Sequence, residues 1–284
     1  MKITFLGTAA ATACPLVFCR CRACRSAWER GGRDLRRRSS VLIGDDLLID
    51  LGPDLMSSAF AFGVDVSRVR CWLQTHSHSD LFDAGHLITR IADYATVAPL
   101  PLDVCASKET LLHMSERLAR EEEGATLLTE AWQARLGLAV HPLCHGEQIV
   151  LGGRRITAVE SNHDPRDGSL LWVIEEGERA LFYATDTMRL TDAAWRLFQE
   201  RGMRFDVVIL DHTYGPGTPG GGHLCADEVA EEVARMRAEG VLKPNGRALA
   251  THISHEGMPL HAELSAFAEK HGYEVAWDGM VVEV

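Results

Sequence analysis

Two histidines and an aspartate, His76, His78 and Asp80, stand together in one short polar stretch of this chain. The stretch follows Val69–Leu73, an apolar run with the length and flanks of a buried strand. Histidines two positions apart in an extended segment point to the same side. Imidazole and carboxylate groups are ligands of zinc, manganese and iron. This pattern therefore favours a metal site at a strand end over a polar loop that merely contains histidines.

A second cluster of metal-binding residue types is the C-x-C-x-x-C pattern of Cys19, Cys21 and Cys24. Three thiolates favour a closed structural zinc site, which needs a fourth ligand from elsewhere in the chain. Two other interpretations stay open. The cysteines could be reduced and unligated, or two of them could form a redox disulfide, although no thioredoxin-like βαβ pattern follows them.

Further polar residues stand where apolar, strand-like segments end, and sites carried by loops are commonly built there. The candidate metal ligands among them are His163, Asp186 and His252. A lone histidine at a strand end is more often structural, but four such ends in one chain favour a shared site. The remaining histidines have no partner pattern and are interpreted as structural or surface residues, or are given no role: His86, His113, His141, His145, His212, His261 and His271.

The stretch Thr75–Asp80 resembles the T-H-x-H-x-D-H signature of the metallo-β-lactamase superfamily, whose members are mostly dinuclear hydrolases. The order of the later candidate ligands matches that superfamily along nearly all of the chain. The resemblance implies an α/β fold, an αββα sandwich of two mixed sheets with helices on the outer faces. Residues 1–284 are expected to form a single domain of this type.

The resemblance also implies a ligand set for two ions. His76, His78 and His163 would bind the first metal, Asp186 would bridge, and Asp80 and His252 would bind the second. The last histidine of the signature falls on Leu81, which cannot bind a metal. We therefore expect one tightly held ion, zinc or manganese, and a second that is weak or absent. Asp83 is favoured over His86 as a substitute ligand, and water over both.

Three features resemble one family in particular, the cyclic phosphodiesterases of the carbon–phosphorus lyase pathway: the cysteine pattern, Thr251–His255 and Trp277–Met280. This resemblance implies that His255 completes a structural zinc site with Cys19, Cys21 and Cys24, in a module at about 14–30. It also implies that His223 acts as a general acid, with Asp80 as the other catalytic residue. The pyrroloquinoline-quinone biosynthesis B proteins share the cysteine cluster but largely lack the histidine motif.

The predicted function is that of a metal-dependent hydrolase, a phosphodiesterase in which metal-bound hydroxide attacks a small, cyclic or linear phosphodiester. The first alternative is a non-hydrolytic or cofactor-biosynthesis metal protein on the same fold. The second is a tRNA-processing nuclease, which the net charge of −11 disfavours, since nucleic-acid binding rests on basic surfaces.

Composition limits what remains open about the core, membrane association and cellular location. A chain of 284 residues with 46% hydrophobic residues can bury a large core. No apolar run approaches the roughly 18 residues of a membrane span, and the sparse cysteines fit a cytoplasmic protein with no membrane partner. A homodimer is left open. The basic loop Arg30–Arg38 is interpreted either as solvated surface or as a phosphate-binding segment. Phe82–Tyr94 is predicted to be helical, and Glu123–Leu138 is left unassigned.

Overall fold

The short apolar runs of the N-terminal half form strands, because branched and aromatic side chains suit a buried pleated surface. A computed structural model describes residues 1–218, 220–256 and 260–284. In this part of the chain the first sheet begins with six strands: β1 (Lys2–Gly7), β2 (Ser40–Ile43), β3 (Leu47–Ile49), β4 (Cys71–Leu73), β5 (Leu102–Ala106) and β6 (Leu138–Pro142).

The strands of the C-terminal half form the second sheet. They are β7 (Gln148–Leu151), β8 (Arg154–Glu160), β9 (Leu170–Glu176), β10 (Arg179–Ala184), β11 (Phe205–Asp211), β12 (Leu242–Thr251) and β13 (Glu274–Val275). The last strand, β14 (Val281–Glu283), returns to the first sheet and pairs antiparallel with β1. Both sheets are mixed, since β3 to β6 and β10 to β13 run parallel and the other neighbours antiparallel.

The α-helices of the described residues are α1 (Arg22–Arg30), α2 (Leu55–Phe62), α3 (Ala84–Ile88), α4 (Lys108–Glu121), α5 (Glu130–Leu136), α6 (Asp192–Glu200), α7 (Ala226–Ala238) and α8 (His261–Lys270). Apolar residues of α2 to α5 pack on the first sheet, and those of α6 to α8 pack on the second. Between the sheets lies a third apolar layer that includes Phe5, Trp172 and Tyr183, all fully buried. The predicted αββα sandwich is confirmed.

This topology brings several strand ends to one edge of the molecule. β9 runs antiparallel to both β8 and β10, so β8 points in the same direction as the parallel strands β10, β11 and β12. The residues that follow these carboxyl ends can therefore meet, which is where open α/β sheets place their sites.

One local expectation differs from the structure, and one segment without an assignment can now be described. The helix expected over Phe82–Tyr94 is limited to α3, because the Asp83 side chain caps it at the start and i to i−3 turns replace it after Ile88. The unassigned segment Glu123–Leu138 contains α5 and the first residue of β6. No helix of the described residues has both the length and the apolar character that a bilayer crossing requires.

The basic loop Arg30–Arg38 is surface only in part: Arg30 and Arg33 are exposed, whereas other arginines tie segments of the fold together, and phosphate binding by this loop stays a prediction. Arg36 is buried and donates to the Ala276 carbonyl at 2.7 Å. Arg38 pairs with Asp54 at 3.1 Å, and Arg33 stacks on the Trp277 ring at 3.7 Å.

Candidate metal centre

The ends of β4 and β8 bring three imidazole rings together: those of His76, His78 and His163. Their centroids lie 4.4 to 5.2 Å apart, and His163 Nε2 is 3.4 Å from His78 Nδ1. A tetrahedral zinc with bonds of 2.0–2.1 Å separates two nitrogen ligands by about 3.4 Å. His76 Nε2 is buried and has no hydrogen-bond partner. The three rings therefore fit a common ion.

The other ring nitrogens of these histidines have their own partners. Thr75 Oγ1 lies 3.1 Å from His76 Nδ1, and His163 Nδ1 donates to the Gly222 carbonyl at 3.1 Å. Such outer contacts fix the tautomer and the direction of a ligand ring. Burial and the nearby His78 keep the pKa of His76 well below its usual value, so this ring stays in the neutral form that binds metal.

Asp186, which follows β10, lies between two groups of donor atoms. Its Oδ1 is 3.7 Å from His163 Nε2, and its Oδ2 is 3.1 Å from His252 Nε2. The same His252 nitrogen lies 3.5 Å from Asp80 Oδ2. One carboxylate thus faces both the three-histidine group and a second group formed by Asp80 and His252, as a bridging ligand would.

The backbone and the charges at this centre also fit a bound cation. Asp186 and His252 both have left-handed φ angles, 53° and 59°, which cost energy in residues other than glycine and mark functional sites. Burial and the neighbouring carboxylates of Asp80 and Asp211 raise the pKa of Asp186 well above its ordinary value. A divalent cation would remove this repulsion among buried carboxylates.

Asp211, at the end of β11, is a site residue that the sequence analysis missed. Its Oδ1 accepts hydrogen bonds from the backbone N–H and the hydroxyl of Thr213, each at 3.0 Å. Its Oδ2 accepts from His223 Nδ1 at 2.9 Å and lies 3.5 Å from His252 Nδ1. The signal was present, because Asp211 ends an apolar strand as the other candidates do. His212, the next residue, contacts Tyr273 OH at 3.0 Å instead.

His223 joins the centre from the glycine-containing segment before α7. Its ring stacks on His252 at 5.3 Å and lies 4.6 Å from the His163 ring. Burial lowers the pKa of His223, but the hydrogen bond and the charge of Asp211 outweigh burial, so the pKa lies above its usual value. His223 and Asp211 thus form an imidazole–carboxylate pair beside both donor groups.

The position of the missing histidine, Leu81, is fully buried. Asp83, which the sequence favoured over His86 but not over water, caps α3 instead: its Oδ1 accepts from the Gly85 N–H at 2.8 Å, and it belongs to neither cluster of donor atoms in the described residues. Asp211 and His223 instead approach Asp186 and His252, with donor atoms of all four within 4.8 Å of one another.

The cysteine cluster gains its fourth donor from a distant part of the chain. His255 Nδ1 lies 3.6 Å from Cys19 Sγ and 3.4 Å from Cys21 Sγ, and Cys24 completes the group. A tetrahedral zinc separates a sulfur and a nitrogen ligand by about 3.6 Å. Burial raises the pKa of Cys21, but hydrogen bonds from the Cys24 N–H and His255 bring it down to about 6, which favours the thiolate ligand. The four residues fit a structural zinc site.

Residues 46–253 match the model of the beta-lactamase superfamily domain. The chain belongs to the beta-lactamase superfamily. The superfamily expected from the histidine motif is thereby confirmed, and the two donor groups lie at the strand ends that this fold presents.

Several solved structures share the fold of this beta-lactamase superfamily protein. A diphosphatase of the PhnP family superposes with a TM-score of 0.71 at 22% identity, with 100% of this chain and 98% of that chain covered. Zinc-bound PqqB from Methylobacterium extorquens gives 0.72 at 20% identity with both chains fully covered. Human tRNase Z, short form, gives 0.66 at 17% identity, with 100% and 99% covered. At these identities the likeness concerns the fold alone.

One curated protein shows a shorter match. The octanoyltransferase of Porphyromonas gingivalis is 38% identical over 84 residues, which are 28% of this chain and 16% of that protein. The likeness to that relative is therefore confined to one segment of this chain, which spans 16% of the relative's length.

Proposed function

We propose that this beta-lactamase superfamily protein is a metal-dependent phosphodiesterase that acts on a small phosphodiester. The observation that carries the proposal is the single bridging position of Asp186, between the three-histidine group and the Asp80–His252 pair. Two ions held by donor groups that share one carboxylate would be suited to binding both the attacking and the leaving oxygens of an in-line displacement.

The two donor groups differ in how tightly they would hold an ion. His76, His78 and His163, with one oxygen of Asp186, form the tighter site for zinc or manganese. Asp80, the other oxygen of Asp186 and His252 form a weaker second site, because Leu81 adds no imidazole. A divalent ion bound at this centre polarises a phosphoryl oxygen and lowers the pKa of a water molecule.

His223 is the proton donor in this proposal. Its Nδ1–H is held by Asp211 at 2.9 Å, which leaves Nε2 to deliver a proton to the leaving alkoxide oxygen. Asp211 raises the pKa of the ring and so keeps it protonated to a higher pH. Asp80 stays ionised, because the hydrogen bond and charge of His252 outweigh the effect of burial on its pKa.

A cavity of about 430 Å³ lies beside His78, and its lining holds the carboxylates of Glu116, Asp164 and Asp167 as well as three arginines. Its lining includes Arg117, Arg120 and Arg166, whose guanidinium groups suit phosphate oxygens. Arg166 is already paired with Asp164 at 3.2 Å, so Arg117 and Arg120 are the arginines better placed to attract the substrate.

Turnover of a small panel tests the proposal: a bis-nitrophenyl phosphodiester, a cyclic ribose phosphodiester and a phosphomonoester, each with Mn²⁺ or Zn²⁺. We expect diester hydrolysis that His163→Ala abolishes and that the control variant His141→Ala, at a half-buried histidine of β6, retains. A metal-loaded protein that hydrolyses neither diester would instead favour a non-hydrolytic metal protein on the same fold.

A further inference from the structure

A buried carboxylate lies behind the histidine motif. Asp167 is 3% exposed, and it accepts hydrogen bonds from both the backbone N–H and the hydroxyl of Ser77, the latter at 2.8 Å. Ser77 separates the two metal-ligand candidates His76 and His78. The contacts to Asp167 therefore set the direction of the backbone from which both rings project.

The same carboxylate has a third donor, His113 Nδ1 of α4. Thr110, one helical turn earlier on α4, donates its hydroxyl to the Asp167 carbonyl at 2.7 Å. Asp167 also lies four residues after His163, in the loop that follows β8. It thus joins α4 to the two chain segments that supply the three-histidine group.

His113 has the contacts of a positioning residue rather than of a core residue. Its side chain is 35% exposed, so its burial contributes little, whereas its hydrogen bond reaches an almost fully buried acceptor. The chain offers a contrasting pair: His141 and Asp103 lie 2.7 Å apart on β6 and β5, and the Asp103 side chain is 37% exposed. No metal-ligand candidate is bonded to that pair in the described part of the chain.

We propose that Asp167 and His113 are positioning residues for the first metal site. The His113 Nδ1–H holds the Asp167 carboxylate in the orientation that binds Ser77, and Ser77 holds the rings of His76 and His78 at the spacing a metal requires. The inference rests on the metal site of the proposed function, but not on its phosphodiester substrate. Losing a hydrogen-bond partner of a ligating side chain typically weakens metal binding by about 10- to 100-fold, and because these contacts act through Ser77 we expect the lower end of that range.

The test measures Zn²⁺ affinity by competition with a chelating dye, together with the visible spectrum of the Co²⁺-substituted site, in four variants. His113→Leu removes the donor and should weaken binding by about 10-fold or more. His113→Asn places an amide N–H close to the position of Nδ1 and should restore the wild-type affinity and spectrum. Asp167→Asn should match His113→Leu, and His141→Leu, the control, should match the wild type.

Zinc retained by the cysteine site shows that each variant is folded. If His113→Leu loses that zinc, Asp167→Asn, which keeps the side-chain volume, decides the question. Wild-type affinity in His113→Leu or Asp167→Asn, or equal losses in His113→Asn and His113→Leu, would overturn the inference. A wild type that binds metal normally and hydrolyses no phosphodiester would refute the proposed function and leave this inference intact.

Discussion

The substitution Asp211→Asn replaces one carboxylate oxygen of Asp211, the residue that accepts a hydrogen bond from His223, with an NH₂ group. The asparagine amide oxygen should face Thr213, which offers two donors, each 3.0 Å from Asp211 Oδ1. The NH₂ group then faces His223 Nδ1, which donates to Asp211 Oδ2 at 2.9 Å in the wild type. Two donors cannot pair, so His223 must move its proton to Nε2 or turn away.

The expected loss of turnover follows from the role of the His223 ring as proton donor. The variant removes the negative charge that raises the pKa of His223, so less imidazolium is present at neutral pH. General acid catalysis typically contributes about 10²- to 10⁴-fold. We therefore expect turnover of a diester with an alkyl leaving group to fall about 100-fold, which corresponds to about 2.7 kcal/mol. A nitrophenyl leaving group barely needs a proton and should lose less than about 10-fold.

The assay compares kcat on these two substrates in Asp211→Asn, in His223→Ala and in the double variant. If the residues act as one unit, the double variant is no worse than His223→Ala. The basic limb of the pH profile should move to lower pH in Asp211→Asn, since the raised pKa is lost. Asp206→Asn, on the same strand but paired with Lys243 at 2.7 Å, is the control and should keep wild-type turnover. Equal losses on both substrates at unchanged metal content would refute the reasoning.

Three further predictions concern other parts of the chain. Mild chelation should leave about one zinc in the wild type, at the cysteine site. Cys21→Ser should lose that zinc and should lower the stability of the fold more than it lowers the rate of hydrolysis. Three freely titrating thiols in the native protein would contradict the cysteine zinc site. Leu81→His should raise metal content, whereas two ions of equal affinity in the wild type would show that Leu81 weakens nothing. Burial and the charge of Arg36 lower the pKa of His261 to about 4, so the folded ring stays neutral while the unfolded chain takes up a proton near its ordinary value of 6.5. His261 should therefore contribute about 1 kcal/mol to the loss of unfolding free energy between pH 7 and pH 5, with partial exposure of the ring allowed for, and chemical denaturation should show the loss smaller by this amount in His261→Asn.

The sequence by itself determined the residues whose chemistry depends on local spacing. His76 and His78 lie on one side of an extended segment because side chains alternate along a strand. Cys19, Cys21 and Cys24 are close in space because they are close in the chain. His163, Asp186 and His252 each follow an apolar run, so the sequence alone predicted that they lie at strand ends.

Other features depend on sheet order and on contacts between distant segments. Asp211 follows the same strand-end pattern, but only the parallel pairing of β11 with β10 and β12 shows that it lies beside Asp186 and His252. Asp83 looked like a substitute ligand from its spacing, yet it caps a helix. The first outcome rests on the order of the strands and the second on where a helix begins, and apolar periodicity specifies neither.

His113 and Asp167 show most clearly what the sequence alone does not predict, because they are 54 positions apart and share no motif. Their contact exists because α4 packs beside the loop that follows β8, and that packing is a property of the assembled layers. Hydrogen bonds between distant segments are fixed by tertiary packing rather than by local preference. The sequence therefore determined which groups could bind metal, and the tertiary structure decided which groups hold them in place.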